Sequence, residues 1–136
     1  MSVHTEVKRI SVPQLMAYKG KKKIASLTAY IAPIARLLDD YLDMILVGDS
    51  TAMVGYALPN TLTITAEQMA FQAAAVVRST QHACVIVDMA FGSYQESAEQ
   101  AFRNCAMAMS SSGADGIKME SGAALAPTTR FLVERG

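Results

Sequence analysis

The stretch Cys84-Val85-Ile86-Val87-Asp88-Met89 decides how this chain is read. It is apolar at odd and even positions alike, interrupted only by Asp88 near its end. A strand with one wet face alternates polar and apolar residues, whereas a strand covered on both faces does not. The run therefore predicts a buried strand of a parallel sheet flanked by helices. Ser97 and Gln100 follow at capping-box spacing, and Phe102, Ala106 and Met109 recur at helical intervals until Gly113, a residue suited to a helix end. The unit is a strand, a loop and an amphipathic helix.

The same unit recurs on either side. Upstream, Met44-Ile45-Leu46-Val47-Gly48-Asp49-Ser50 is apolar until its last residues, and a loop rich in Gly, Pro, Asn and Thr follows. That loop leads to Thr65, which with Gln68 makes a second capping-box pair ahead of Met69, Ala73, Val76 and Val77. Earlier still, Ile24-Ala25-Ser26-Leu27-Thr28-Ala29-Tyr30 precedes Pro33, which suits a first helical turn, and then Ile34, Leu37, Leu38 and Tyr41. Downstream, Gly116-Ile117-Lys118-Met119-Glu120 leads through Pro127 to a helix carrying Phe131 and Leu132. Ser11 to Tyr18 reads as a short helix ahead of the first strand. Four βα units in succession predict an α/β fold. A closed (βα)8 barrel takes about 250 residues, so 136 residues hold either half a barrel or a small open sheet. No linker, low-complexity segment or further repeat divides residues 1–136, which read as one structural portion.

A hydrophobic share of 51% against 18% charged residues is that of a globular chain. Its 12 basic and 12 acidic residues cancel, which argues against a nucleic-acid partner, since phosphate binding needs a clustered positive excess. The basic run Lys19 to Lys23 reads as a solvated turn. No apolar run approaches the roughly 18 residues of a membrane span, and the N-terminal segment lacks the apolar core and cleavage pattern of a signal peptide. Cys84 and Cys105 read as small buried hydrophobes of a reducing compartment. The expectation is a cytoplasmic protein.

Acids fall at both ends of the apolar runs, and the two ends are not equivalent. Asp43 and Asp115 precede the second and fourth runs, on the bottom face. Asp49, Asp88 and Glu120 lie at or near the C-terminal ends of the second, third and fourth, where parallel α/β sheets bind ligands. Neighbouring strands are about 4.8 Å apart, so three carboxylates from consecutive tips could converge on one point. Such a cluster repels itself unless a cation sits between its members, and oxygen-only donors suit a hard ion such as Mg²⁺. The bland alternative is that these acids cap helices or sit in solvated turns. His4, near the terminus, and His82, on the bottom face, are poorly placed for catalysis, and Gly48-Asp49-Ser50-Thr51 lacks the signature of a phosphate loop.

Taken in order, Leu27-Thr28-Ala29-Tyr30, Leu46-Val47-Gly48-Asp49-Ser50, Val87-Asp88-Met89-Ala90-Phe91-Gly92-Ser93-Tyr94 and Gly113-Ala114-Asp115-Gly116-Ile117-Lys118-Met119-Glu120 resemble the ketopantoate hydroxymethyltransferase family. The likeness runs from Ser11 to Gly136. It implies a (βα)8 TIM-barrel-type fold, of which this chain carries the first four units behind a short helix. It also implies a Mg²⁺ site from Asp49, Asp88 and Glu120, with Ser50, Asp88 and Lys118 contacting substrate. The family reaction moves a hydroxymethyl group from 5,10-methylenetetrahydrofolate to the 2-oxo acid 3-methyl-2-oxobutanoate, giving 2-dehydropantoate in pantothenate and coenzyme A synthesis. The family assembles as homo-oligomers. Its general base, a glutamate, and a substrate-binding histidine belong to the second half of the barrel, beyond Gly136, so no catalytic base is expected here.

Several positions depart from the family wording. Ala90 stands for proline, Ser121 for the first of two glycines, Thr51-Ala52 for Leu-Gly, and Gln72 for a frequent histidine. A serine in place of glycine is expected to strain a backbone that needs positive φ, and Ser110-Ser111-Ser112 is expected to weaken a helix end. Two other readings compete. A carbon–carbon lyase of the phosphoenolpyruvate mutase and isocitrate lyase type shares the barrel and the metal chemistry but carries a Cys-containing loop after its fourth strand, absent here. A non-catalytic half-barrel would act only by association.

Overall fold

The computed structural model describes residues 8–136, so the expectations for His4 and the first residues lie outside the described part. Four parallel strands, β1 (Ser26–Thr28), β2 (Met44–Val47), β3 (Cys84–Asp88) and β4 (Gly116–Lys118), form one sheet in chain order. Each pairs in parallel with the next, with Leu46 opposite Ile86, Val87 opposite Ile117 and Asp88 opposite Lys118. The helices are α1 (Val12–Ala17), α2 (Ala32–Leu38), α3 (Thr51–Val54), α4 (Ala66–Ser79), α5 (Ala98–Ser112) and α6 (Ala126–Val133). Strand, crossover helix and adjacent parallel strand repeat through the chain, the partial TIM-barrel-type arrangement that the apolar runs imply.

The core lies between the sheet and α4 and α5. Ile45 and Val47 of β2 and Val85 and Val87 of β3 are fully buried against Met69, Ala73 and Val76 of α4 and Ala101 and Ala108 of α5. Small residues on the buried helix faces let the helices approach the sheet closely. Thr65 closes a full capping box with Gln68, as its spacing predicts. Ser97 makes only half of one: its hydroxyl accepts the Gln100 amide at 3.0 Å, while the Gln100 side chain turns to Glu96 N and Gly92 O. Gly113 ends α5 in the left-handed region at φ 75°, which only glycine adopts without strain.

Three expectations are corrected. The loop after β2 begins with a short helix, α3, because Ser50 already has helical φ and ψ and the Gly55 amide closes onto Thr51 O at 2.8 Å. The serine run does not end α5 early: the helix continues to Ser112, whose Oγ donates to Ala108 O at 2.6 Å and accepts the Ala114 amide at 3.0 Å. Ser121 is not strained: among the described residues the one non-glycine with positive φ is Ala57.

The bottom-face acids hold the sheet together. Asp43 Oδ2 accepts the Ala25 amide at 3.0 Å and Asp115 Oδ2 accepts the Val85 amide at 2.8 Å, each acid tying its own strand to the previous one. Lys22, from the otherwise solvated basic run, bonds Asp43 at 2.7 Å and holds its carboxyl below the ordinary carboxylate range. Asp39, which sequence reasoning did not single out, is buried and accepts the amides of Gln81, His82 and Ala83. It thereby fixes the entry to β3. Arg9 gathers the Val77, Thr80 and Ala83 carbonyls at 2.7–3.0 Å, a cation at the carbonyl end of α4. Asp39→Ala should lower unfolding free energy by about 3 kcal/mol, because three amides lose their shared acceptor. The exposed neighbour Asp40→Ala should change it by less than about 0.5 kcal/mol. Urea denaturation of the two variants checks the pair, and equal midpoints would show that Asp39 carries no special role.

Candidate active site

The C-terminal tips of β2, β3 and β4 carry the charged residues. The alternation that turns Val85 and Val87 toward the helices turns Asp88 to the other face, where it meets Lys118 across the register. Lys118 Nζ donates to Asp88 Oδ1 at 2.8 Å and also to Glu120 Oε1. The Asp49 amide approaches Asp88 Oδ2 at 3.3 Å. Ser50, next on the β2 tip, shares a hydrogen bond of 2.9 Å with the Tyr30 hydroxyl from the β1 tip. A Cβ built on Gly48 would lie 2.9 Å from Ser50 Oγ and 3.5 Å from Asp88 Oδ2, so only glycine leaves the serine hydroxyl this position beside the carboxylate.

The sequence therefore brings Asp49, Ser50, Asp88, Lys118 and Glu120 to one end of adjacent strands, though not as three converging carboxylates. Among the described residues no three acids, histidines or cysteines are grouped to hold a metal ion. The order is Asp49 amide, Asp88, Lys118, Glu120: the ammonium stands between two anions that would otherwise repel.

Burial pushes the Asp88 carboxyl above the ordinary carboxylate range, and the Lys118 hydrogen bond opposes that rise without cancelling it. Burial alone would lower Lys118, but its bonds to Asp88 and Glu120 outweigh this and hold it above the usual lysine value. Glu120, largely exposed, is drawn below its usual value by Lys118. Burial lifts the thiols of Cys84 and Cys105 to about 11, which leaves them protonated and unsuited to nucleophilic work.

Two positions that sequence reasoning passed over support these tips. Tyr94 is buried, and its hydroxyl donates to Glu120 O and accepts from Glu120 N, both at 3.1 Å, strapping the β3 loop to the end of β4. It lies inside a quoted motif, but nothing in the sequence marks the ring as a strut. Gln72, noted only as a departure, donates to Tyr30 O and to Thr51 Oγ1, each at 2.7 Å, so two departures from the family wording meet each other. A recess of about 490 Å³ between α5, α6 and β4 is lined by residues including Phe102, Cys105, Met109, Ile117 and Leu132. It contains none of the charged tip residues and is set aside as a reaction site.

Four adjacent parallel strands with an acid–lysine–acid line at their C-terminal tips define a partial TIM-barrel-type α/β protein. The sequence pattern of the ketopantoate hydroxymethyltransferase family matches residues 9–136, and the chain belongs to that family. It is 54% identical over 136 residues to the 3-methyl-2-oxobutanoate hydroxymethyltransferase of Paramagnetospirillum magneticum, covering all of this chain and 50% of that protein. Corresponding proteins of Hahella chejuensis and Brucella canis are 51% and 53% identical, again over all of this chain and 49% and 50% of theirs. The chain thus spans about half the length of the curated relatives it matches. Among the described residues no helix is long and apolar enough to cross a membrane.

Removing the ammonium separates the titrations. In Lys118→Met, Asp88 should titrate at still higher pH and Glu120 should return toward its ordinary value, read by carboxyl carbon NMR. The signs for stability follow. Asp88, raised in the fold, contributes stability below the ordinary carboxylate value that is lost as pH rises through its native one. Glu120, depressed, contributes stability above its ordinary value that is lost as pH falls through its native one. An unmoved Asp88 signal in the variant would refute the coupling.

Proposed function

We propose that this chain is the substrate- and metal-binding half of a 3-methyl-2-oxobutanoate hydroxymethyltransferase. The observation that carries the reading is the cluster of Ser50, Asp88 and Lys118 at adjoining strand tips, in a chain whose relatives bear that name. Lys118 offers an ammonium to the oxygens of a 2-oxo acid, held in position by Asp88. Ser50 donates its hydroxyl to the acid's carboxylate, with Tyr30 as the partner that orients it.

Mg²⁺ suits the donor chemistry, because Asp49, Asp88 and Glu120 are hard oxygen donors and the buried Asp88 has, among the described residues, only Lys118 as counter-cation. In the present arrangement the three do not converge, and they would hold it only once Lys118 left its place between Asp88 and Glu120. When bound it would polarise the 2-oxo carbonyl, acidify the C3–H of 3-methyl-2-oxobutanoate and favour the enolate. The C3 carbon would then bond to the methylene carried by 5,10-methylenetetrahydrofolate, water would supply the hydroxyl oxygen and the carbon–nitrogen bond to the folate would break, so that 2-dehydropantoate and tetrahydrofolate leave, the former on the route to pantothenate and coenzyme A. A base must take the C3 proton, and the resemblance assigns that role to a glutamate of the barrel's second half. The residues present bind and orient; the proton acceptor comes from elsewhere. A cytoplasmic setting suits the two free, buried thiols.

Calorimetry with Mg²⁺ and 3-methyl-2-oxobutanoate should register binding to the 136-residue chain, while the product assay registers little or no turnover. General base catalysis typically supplies 10²–10⁴-fold, and folate positioning contributes separately. Asp88→Ala should abolish the metal-dependent binding. Asp115→Ala should cost stability, through the lost Val85 amide bond, and leave binding intact. Near-normal turnover by the purified chain would overturn the assignment of the base to the other half.

The sheet also supports self-association. β1 and β4 are its edges, all three residues of β1 are exposed, and Leu27 keeps 54% of its surface open. Unpaired parallel edges with apolar side chains recruit further strands. Light scattering should find a dimer or larger homo-oligomer that binds little apolar dye; a monodisperse monomer would contradict this.

A further inference from the structure

Gln72 lies on α4, outside the charged cluster, and is 8% exposed. Its amide nitrogen has two protons, and the structure uses both. One goes to the Tyr30 carbonyl at 2.7 Å, the other to Thr51 Oγ1 at 2.7 Å. Tyr30 follows β1, and Thr51, fully buried, is the first residue of α3 directly after Ser50. The nitrogen assignment is forced by chemistry, because the Tyr30 carbonyl can only accept; an amide flipped to present oxygen there would set two acceptors face to face. The cost of the arrangement is visible, since Gln72 Oε1 is buried with no hydrogen-bond partner among the described residues.

We propose that Gln72 is a positioning residue for Ser50, acting through Tyr30 and Thr51. One amide group holds the backbone that carries the Tyr30 ring and the residue next to Ser50, and the Tyr30 hydroxyl then fixes Ser50 Oγ at 2.9 Å. Gly48, having no Cβ, leaves the space that Ser50 Oγ occupies. Three residues from three separate segments, Gln72, Tyr30 and Thr51, thus bear on the direction of one hydroxyl. Thr51 and Gln72 work as a matched pair: without the amide, the threonine hydroxyl is buried beside a lost donor, and without the hydroxyl, the amide has one proton unused. That Ser50 faces the carboxylate of a 2-oxo acid rests on the proposed function; the linkage from Gln72 to Ser50 does not.

The test is a double-mutant cycle on the full chain with two readouts. Gln72→Met keeps the volume and removes both donations; Tyr30→Phe removes only the last bond; Thr51→Val, a milder change, removes one acceptor and serves if Gln72→Met does not fold. By NMR, Gln72→Met or Thr51→Val should shift the Tyr30 ring and Ser50 amide signals while leaving those of Tyr94 in place. By calorimetry in Mg²⁺, Gln72→Met should weaken 3-methyl-2-oxobutanoate about tenfold, the effect of one hydrogen bond, with affinity for Mg²⁺ alone unchanged. In a Tyr30→Phe background the same substitution should weaken it by much less, because the step it acts through is already gone. Unmoved Tyr30 and Ser50 signals, or additive losses in the cycle, would overturn the proposal. If the parent chain binds no 2-oxo acid, the functional reading fails and the NMR comparison alone still decides whether Gln72 positions Ser50.

Discussion

The alternation of side chains along β2 and β3 is the constraint from which the rest of the molecule follows. Ile45, Val47, Val85 and Val87 must face α4 and α5, where burial of each is worth about 1.5–3 kcal/mol. With that parity fixed, Asp88 has to project from the opposite face. The parallel register with β4 then sets Lys118 against it. A slip of one residue would drive the carboxylate into the aliphatic layer and expose the valines. The hydrophobic core and the charged site are two consequences of one register.

The two ends of the sheet treat the same residue types differently. At the bottom, Asp39, Asp43 and Asp115 spend their oxygens on backbone amides of neighbouring segments, which leaves them structural. At the top, Asp88 receives one lysine and one long amide contact, and Glu120 receives the same lysine and is otherwise open. A half-satisfied carboxylate at a buried strand tip keeps acceptor capacity for a further partner; a fully satisfied one at the entry to a strand is a clamp. Acids common to both ends therefore carry different chemistry because their hydrogen-bond partners are different.

Polar struts beneath the tips connect these two regimes. Tyr94 braces the backbone of Glu120 from the β3 loop, and Gln72 braces Tyr30 and Thr51 from α4. Both are buried side chains that reach loop residues close to the charged cluster, so loop shape is set by the helical layer as well as by the loops themselves. Ala90, Ser121 and the serine run, which depart from the family wording, are accommodated without positive φ or a broken helix.

By itself the sequence determined the four βα units, the capping residues Thr65 and Gly113, and which acids stand at which end of the strands. These features are local: apolar runs, hydrogen-bonding caps and glycine's conformational freedom act over a few residues and are legible wherever they occur. The quoted motifs likewise marked Asp49, Ser50, Asp88, Lys118 and Glu120 as residues of one family's site. Tertiary structure alone decided that Lys118 would stand between Asp88 and Glu120, that Asp39 would collect the amides of Gln81, His82 and Ala83, and that Gln72 would serve Tyr30 and Thr51. Those partners lie 21 to 44 positions apart in the chain, apart from Lys118 and Glu120. Their meeting depends on strand register and helix placement, which no local pattern encodes.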